Sequence, residues 1–177
     1  MRVIDCTTFY SEHLMMDLRF NILNEHVDKF IVCESTISHS GKKKKLNFDI
    51  NNYPKFKDKI SYIVIDEEPE GIIGEKNGLA QPHEKRSDSL KRINLSYDYM
   101  IKATSDASDN DLIILSDNDE IPNLNSEQFK RSKKDIIIFK QLFFYYKFNL
   151  YYDLVPWFGT KACKKRKLKS MSWLRNI

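Results

Sequence analysis

The sequence lacks any long apolar run, and no stretch approaches the roughly 18 residues that a membrane-spanning helix needs. The amino terminus enters a strand-like segment at once, with no leader-like segment before it. Cysteine is also scarce. Cys6, Cys33 and Cys163 include no Cys-x-x-Cys spacing, which predicts reduced thiols in a reducing compartment. We therefore expect a protein without signal peptide or membrane anchor, either cytoplasmic or peripheral to a membrane.

Several common functional motifs are absent as well. The sequence contains no Gly-x-x-x-x-Gly-Lys phosphate loop, no Gly-x-Gly-x-x-Gly and no Gly-x-Ser-x-Gly nucleophile elbow. Its four histidines are scattered, and none has zinc-ligand spacing to a cysteine. An EF-hand starting at Asp117 fails because Ile121 and Pro122 stand where a ligand and a glycine are required. None of these sites therefore accounts for a function of this chain.

The bulk composition is that of one soluble globular domain. The 177 residues are 41% hydrophobic and 31% charged, with a formal net charge of +4. A mildly basic balance suits anionic ligands, and we expect no specific nucleic-acid partner. Much of the surplus lies in the basic runs 42–45 and 164–169. Each run is a phosphate patch, a localisation signal or solvated surface, and peripheral membrane contact would go through them.

The hydrophobic pattern alternates between strands and helices, which predicts βαβ units, a mostly parallel sheet and an α/β fold. In the first helix we expect Leu14, Leu18, Ile22 and Leu23 to form the buried face. Strands are predicted at residues 2–6, 29–34, 59–66, 112–115 and 135–140, and helices at 11–25 and from about 84 to 101.

The last third of the chain is less regular. The aromatic tract from Phe143 to Tyr152 is predicted to be mostly core and to continue the last strand as a hairpin turning at Phe148–Asn149. Trp157 could instead stack on a sugar ring. No terminal element is predicted after it, and we expect the chain to stop short of a complete domain.

The stretch Ser116–Pro122 carries the main functional signal. Asp117 and Asp119 follow the apolar run 112–115, so they are expected at the carboxyl end of a buried strand. Ligands bind at this edge of open α/β sheets, where an Asp-x-Asp pair could hold a divalent cation against phosphates. The alternative is an ordinary polar turn. Asp5, Thr7, Glu34, Ser35 and His39 follow other strands and could share the same cleft, an arrangement that a sugar nucleotide's diphosphate needs.

An ordered series of segments then points to a family. The sequence contains Asp-Cys-Thr-Thr-Phe at 5–9, Asp-Leu-Arg-Phe-Asn-Ile-Leu-Asn-Glu at 17–25 and Val-Asp-Lys-Phe-Ile-Val-Cys-Glu-Ser at 27–35. Ser-His-Ser-Gly-Lys at 38–42, Lys-Ile at 59–60, Arg-Ile-Asn at 92–94 and Ser-Asp-Asn-Asp-Glu-Ile-Pro at 116–122 follow. Tyr151-Tyr152 and Trp-Phe-Gly-Thr-Lys at 157–161 complete the series. Together these segments resemble glycosyltransferase family 17, the bisecting N-acetylglucosaminyltransferases.

The resemblance implies a type A glycosyltransferase (Rossmann-like) fold and an inverting transfer of N-acetylglucosamine from a UDP-sugar to a glycan or glycoconjugate acceptor, as in protein N-linked glycosylation. It also implies one domain over 1–177, with a nucleotide-sugar-binding half at 1–122 and the start of an acceptor half at 123–177. The family pattern continues beyond this carboxyl end, so the chain is expected to lack the C-terminal part.

The resemblance assigns roles as well. Asp117 and Asp119 match the family's metal-binding acids, with Mn²⁺ the usual ion and Mg²⁺ the substitute. Donor-binding residues are expected at Asp5, Thr7, Glu34, Ser35, His39, Arg92, Asn94 and Asp117. Glu120 and Asp153 are the candidate catalytic bases, and Glu120 is also a candidate for orienting the loop.

Two other functions stay open. A metal-dependent nucleotidyltransferase could use the same acids but would need further carboxylates for a second metal. A catalytically incomplete remnant could bind carbohydrate or polyanions through the basic runs, in which case binding should weaken with salt.

Overall fold

The computed structural model describes residues 1–74, 81–145, 147 and 149–177. Within them six strands form one sheet in the order β3-β2-β1-β4-β6-β5. The strands are β1 (Val3–Thr8), β2 (Lys29–Ser35), β3 (Ile60–Ile65), β4 (Leu112–Ser116), β5 (Ile136–Ile138) and β6 (Lys161–Lys164). The helices are α1 (His13–Leu23), α2 (Pro82–Tyr99), α3 (Glu127–Arg131) and α4 (Met171–Asn176).

The first four strands are parallel, and β6 and β5 continue the sheet in antiparallel pairing. The register places Thr7 beside Ser116, Thr8 beside Cys33, and Ser35 beside Ile65. The carboxyl ends of these four strands therefore share one edge. The predicted α/β fold with a mostly parallel sheet is confirmed.

The sheet is covered on both faces because its central strands are apolar on both sides. In β4, Leu112 and Ile114 pack in the core that contains α1, whereas Ile113 and Leu115 pack in the core that contains α2 and α4. All three cysteines are free and buried, and Cys33 lies in the core as predicted.

The first helix lies where the sequence predicts it, but the predicted buried face is wrong. Leu14, Leu18 and Ile22 are exposed. The helix instead buries Met16, Arg19, Phe20 and Leu23, and only Leu23 belongs to both sets. The reason is Arg19, which forms an ion pair with Asp5 of β1 and thereby fixes which side of the helix faces the sheet.

The carboxyl-terminal strand and helix were not predicted. β6 is a short Lys-Ala-Cys-Lys segment whose Ala162 and Cys163 are fully buried between β4 and β5. Ser170 caps α4 by accepting a hydrogen bond from the amide of Trp173 at 3.0 Å. Both elements are too short to show a periodicity, so tertiary pairing determines them.

The prediction that the aromatic tract is mostly core is also wrong. Tyr145 is 54% exposed and Tyr151 is 55% exposed. Backbone hydrogen bonds join Tyr145 to Leu150 and Tyr152 to Phe143, as in a hairpin. Phe148, where the turn is predicted, lies outside the described residues.

The basic runs are partly engaged in ion pairs. Lys44 contacts Glu34, and Arg166 contacts Asp135 at 2.6 Å. In the described part of the chain no helix combines the length and the apolar character that crossing a membrane demands.

Candidate active site

A cavity of about 780 Å³ opens at the carboxyl edge of the parallel strands. Its walls are the loops that follow β1, β2 and β4, together with one side of α2. Residues that line it from these elements include Ser11, Ser35, His39, Tyr97 and Asp117. The topology thus brings segments that are far apart in sequence to one ligand-sized space, where open α/β sheets bind their ligands.

A second cavity of about 420 Å³ lies against the same acidic loop. Its further walls come from the segment 141–144, Lys147 and Trp157. Phe143 and Trp157 stack there, with ring centroids 5.2 Å apart and planes tilted by 17°. Met15, Asp117 and Asp119 line both cavities, so the two spaces meet at the acidic loop.

The acidic loop is a closed turn. The amide of Asp117 donates to Oε2 of Glu120 at 3.0 Å, and the amide of Glu120 donates to the carbonyl of Asp117 at 3.1 Å. Trp157 Nε1 donates to Oε1 of Glu120 at 2.9 Å. The Glu120 side chain is therefore buried and fully engaged, and it holds the turn against the segment 157–159.

Arg19 supports this turn through its backbone carbonyls. Its Nε and Nη2 donate to both carboxylate oxygens of Asp5, at 2.8 and 2.6 Å. Its Nη1 reaches the carbonyls of Asp117 and Glu120, each at 3.2 Å. Arg19 is fully buried and Asp5 is 1% exposed. A buried charge pair of this kind needs such complete hydrogen bonding, and here it fixes the backbone of the acidic loop.

Arg175 of α4 reaches the loop from the other side. Its Nη2 lies 2.9 Å from Oδ2 of Asp117 and 3.0 Å from Oε1 of Glu120. Its Nη1 donates to Oε2 of Glu120 at 2.5 Å and to the carbonyl of Gly159 at 2.7 Å. The second oxygen of Asp117 accepts from the Tyr97 hydroxyl at 2.8 Å. Both oxygens of Asp117 are thus occupied.

Asp119 differs from its neighbours. Its side chain is exposed and lines both cavities, and among the described residues no donor from another side chain holds it. Partial desolvation, followed by the charges of Glu120 and Asp117, raises the pKa of Asp119. Burial and the adjacent Asp117 also raise the pKa of Tyr97, which keeps its hydroxyl a proton donor.

The other residues proposed for the donor fall into two groups. Ser35 and His39 line the larger cavity. Desolvation lowers the pKa of His39, while the charges of Asp117 and Glu12 oppose that shift. Thr7 and Glu34 are buried. Glu34 accepts from the amides of Asn47 and Phe48 and from Tyr62, so it anchors the segment 44–48.

Arg92, Asn94 and Asp153 lie outside the two cavities. Arg92 forms two hydrogen bonds with Glu68, at 2.7 and 3.0 Å, and one with the carbonyl of His39. It therefore ties the loop after β3 to the loop after β2. Asn94 and Asp153 are exposed, and neither lines the described cavities.

Sequence reasoning missed Arg175. It is one basic residue in a segment without periodicity, and no spacing relates it to Asp117. Its position depends on α4, which Asp98 of α2 holds through the amide and hydroxyl of Ser172 at 2.8 and 2.7 Å. Only the packed structure brings these groups together.

The fold and the cleft define an α/β protein whose two cavities meet at an acidic turn at the carboxyl edge of the sheet. The profile of glycosyltransferase family 17 matches residues 1–171, and the chain belongs to this family. Its mostly parallel sheet agrees with a glycosyltransferase fold.

Curated relatives carry the name beta-1,4-mannosyl-glycoprotein 4-beta-N-acetylglucosaminyltransferase. The proteins from Rattus norvegicus and Homo sapiens are each 30% identical to this chain over 125 residues, and the one from Mus musculus is 29% identical. Each match covers 68% of this chain and 22% of the relative, so the chain spans only part of the relatives' length. No solved structure is a significant match.

Proposed function

We propose that this chain acts as an inverting glycosyltransferase that moves N-acetylglucosamine from a UDP-sugar to a glycan acceptor. The observation that carries the proposal is the junction of two cavities at one acidic turn, in a chain of this family. Transfer requires donor and acceptor to meet at the anomeric carbon, and adjoining cavities can hold the two substrates in that relation.

The larger cavity would take the donor. Ser35, His39 and Asp117 line this cavity and would contact the donor. Asp5, Thr7 and Glu34 are buried, so we assign them to the support of the cleft. Arg92 lies outside the cavity and has a similar supporting role, because it joins the loop after β3 to the loop after β2.

The smaller cavity would take the acceptor. The stacked pair Phe143 and Trp157 offers an aromatic wall on which the apolar face of a sugar ring can pack. Entry from this side brings an acceptor hydroxyl to the anomeric carbon opposite the departing UDP, as inversion requires. A base takes the proton of the acceptor hydroxyl as its oxygen forms the new glycosidic bond, the bond to UDP breaks, and UDP leaves with the electron pair.

The two carboxylates proposed as bases are placed differently. Glu120 accepts hydrogen bonds from Asp117, Trp157 and Arg175, so we propose that it positions the turn and does not collect the proton. Asp153 is exposed and lines neither cavity, and its catalytic role stays a prediction.

A divalent cation, Mn²⁺ or Mg²⁺, stays a prediction. Asp119 presents an open carboxylate for such an ion, whereas the carboxylate of Asp117 accepts from Tyr97 and is paired with Arg175 in this arrangement. Within the described ranges, no three histidine, cysteine or acidic side chains group as a metal cluster. A two-metal nucleotidyltransferase therefore has less support than a glycosyltransferase.

Donor hydrolysis, followed by proton NMR of the anomeric signals, tests the proposal. Wild type with UDP-N-acetylglucosamine, with and without Mn²⁺, should release the β-anomer of the sugar first. Asp119→Asn should slow release by about tenfold or more, since it removes the open charge at the junction. Asp58→Asn is the matched control, because Asp58 is exposed and lines neither cavity, and it should keep the wild-type rate. Initial release of the α-anomer, or equal rates for wild type and Asp119→Asn, would contradict the proposal.

A further inference from the structure

The guanidinium of Arg175 occupies the centre of the acidic turn. Asp117, Asp119 and Glu120 place three carboxylates within four residues, and Arg175 binds two of them, Asp117 and Glu120, through three donor contacts. A fourth contact goes to the carbonyl of Gly159. We propose that Arg175 is the resident cation of this site, and that a divalent cation can use Asp117 and Glu120 only after the Arg175 side chain has left them.

Charge opposes simultaneous occupancy. The guanidinium of Arg175 already donates to oxygens of Asp117 and Glu120 and neutralises part of their charge, which weakens the attraction of these carboxylates for a divalent cation. A guanidinium a few ångströms from a divalent cation would also repel it strongly in a partly buried site. The Arg175 side chain is 17% exposed and that of Glu120 is 6% exposed, so solvent screens this repulsion only weakly.

The backbone of α4 need not move for the exchange. The amide of Ser172 donates to Asp98, and Ser170 caps the helix by accepting from the amide of Trp173. The carbonyl of Arg175 accepts from Lys161. The helix is therefore anchored independently of the guanidinium. An arginine side chain has several rotatable bonds, so it can swing from the turn towards the cavity while α4 keeps its place.

The ligand that would draw Arg175 away is a nucleotide diphosphate. A guanidinium binds phosphate oxygens with the same two-pronged geometry that it uses for carboxylates. This step rests on the proposed function, which places a diphosphate in the cavity beside Asp117. Arg175 would then contact the diphosphate, and the carboxylate of Asp117 would no longer be neutralised by the guanidinium.

The proposal predicts effects of opposite sign from one substitution. In Arg175→Met, Mn²⁺ affinity without nucleotide, measured by electron paramagnetic resonance of free Mn²⁺, should rise by about tenfold. Metal-free UDP affinity, measured by calorimetry, should fall by about tenfold, because a phosphate-binding cation is lost. Arg175→Lys should lie between wild type and Arg175→Met in both measurements. Arg166→Met removes an arginine that pairs with Asp135 outside the cleft, and it should change neither affinity.

Loss of folding would lower both affinities together, so a rise in Mn²⁺ affinity separates the proposal from a structural role. Unchanged or weaker Mn²⁺ binding by Arg175→Met would overturn it, as would unchanged metal-free UDP binding. Asp119→Asn distinguishes this failure from failure of the proposed function. If that variant binds UDP-N-acetylglucosamine as wild type does, the proposed site itself is wrong, whatever Arg175→Met shows.

Discussion

Gly159 lies directly against the carboxylate of Glu120. A β-carbon at this position would come within 1.9 Å of Oε1 and 2.2 Å of Cδ of Glu120, and within 2.5 Å of Nε1 of Trp157. Only a residue without a side chain fits there, because the Glu120 carboxylate is held in place by Arg175 and by the amide of Asp117. This close approach ties the segment 157–159 to the acidic turn.

Gly159→Ala should therefore disrupt the turn. We expect a loss of about 1–3 kcal/mol in the free energy of unfolding by urea, as for other overpacked sites, together with weaker UDP binding. Gly74→Ala is the control, because a β-carbon there meets no atom within 4 Å and carries only the strain of a positive φ. If both variants bind UDP as wild type does, the contact has no bearing on the site.

The buried pair of Arg19 and Asp5 should dominate the stability of the cleft. Asp5→Asn and Arg19→Met should each cost about 3–5 kcal/mol, because each leaves a buried polar group uncompensated, and the double variant should lose less than their sum. Chemical unfolding measures the cycle. Glu127→Gln with Arg131→Met removes an exposed pair and should change stability little. Additive losses at Arg19 and Asp5 would contradict the coupling.

Asp106 should make a pH-dependent contribution to the free energy of unfolding. Hydrogen bonds from Lys29 and Arg2 lower its pKa from 3.8 to about 2. Because the folded pKa is depressed, the contribution is present above pH 3.8 and is lost as pH falls towards about 2. Asp106→Asn should therefore be less stable than wild type at pH 6 and equal to it near pH 2. A stability difference that stays constant over this range would contradict the assignment.

Trp157 should affect acceptor use more than donor binding. Trp157→Ala should raise the KM for a saccharide acceptor in the transfer assay, because the aromatic wall of the smaller cavity is lost. Trp157→Phe keeps a ring but loses the bond to Glu120, so its KM should lie between those of Trp157→Ala and wild type. Trp173→Phe, in the other core, is the control. Equal KM values for wild type and Trp157→Ala would contradict an acceptor site in the smaller cavity.

Much of the fold follows from local pattern in the sequence. The continuous apolar run 112–115 predicted β4. The helical spacing of apolar residues such as Ile93 and Tyr97 predicted α2, which begins two residues earlier than expected because Pro82 suits a first helical position. The face of α1 was wrong because a buried ion pair outweighed the leucine stripe. The sequence around Arg19 does not show that its partner is Asp5, on strand β1.

The candidate site was predictable in its location and less so in its chemistry. Parallel strands bring the acidic turn, Ser35 and His39 to one edge, which the strand order alone implies. Whether an acid faces the cavity depends on donors from elsewhere in the chain. Glu34 and Asp5 are buried, where Glu34 accepts from the amides of Asn47 and Phe48 and Asp5 pairs with Arg19. Arg175 comes from a six-residue helix without a sequence signature, so its contact with Asp117 emerges only from packing.

Calorimetric titration with UDP-N-acetylglucosamine in the presence of Mn²⁺ tests the central claim most directly. Wild type and Asp153→Asn should bind the nucleotide sugar with the same affinity, and Asp119→Asn should bind it at least about tenfold more weakly, since the open carboxylate at the junction is gone. Undetectable binding to folded wild type, or equal binding by wild type and Asp119→Asn, would contradict a nucleotide-sugar site at this turn.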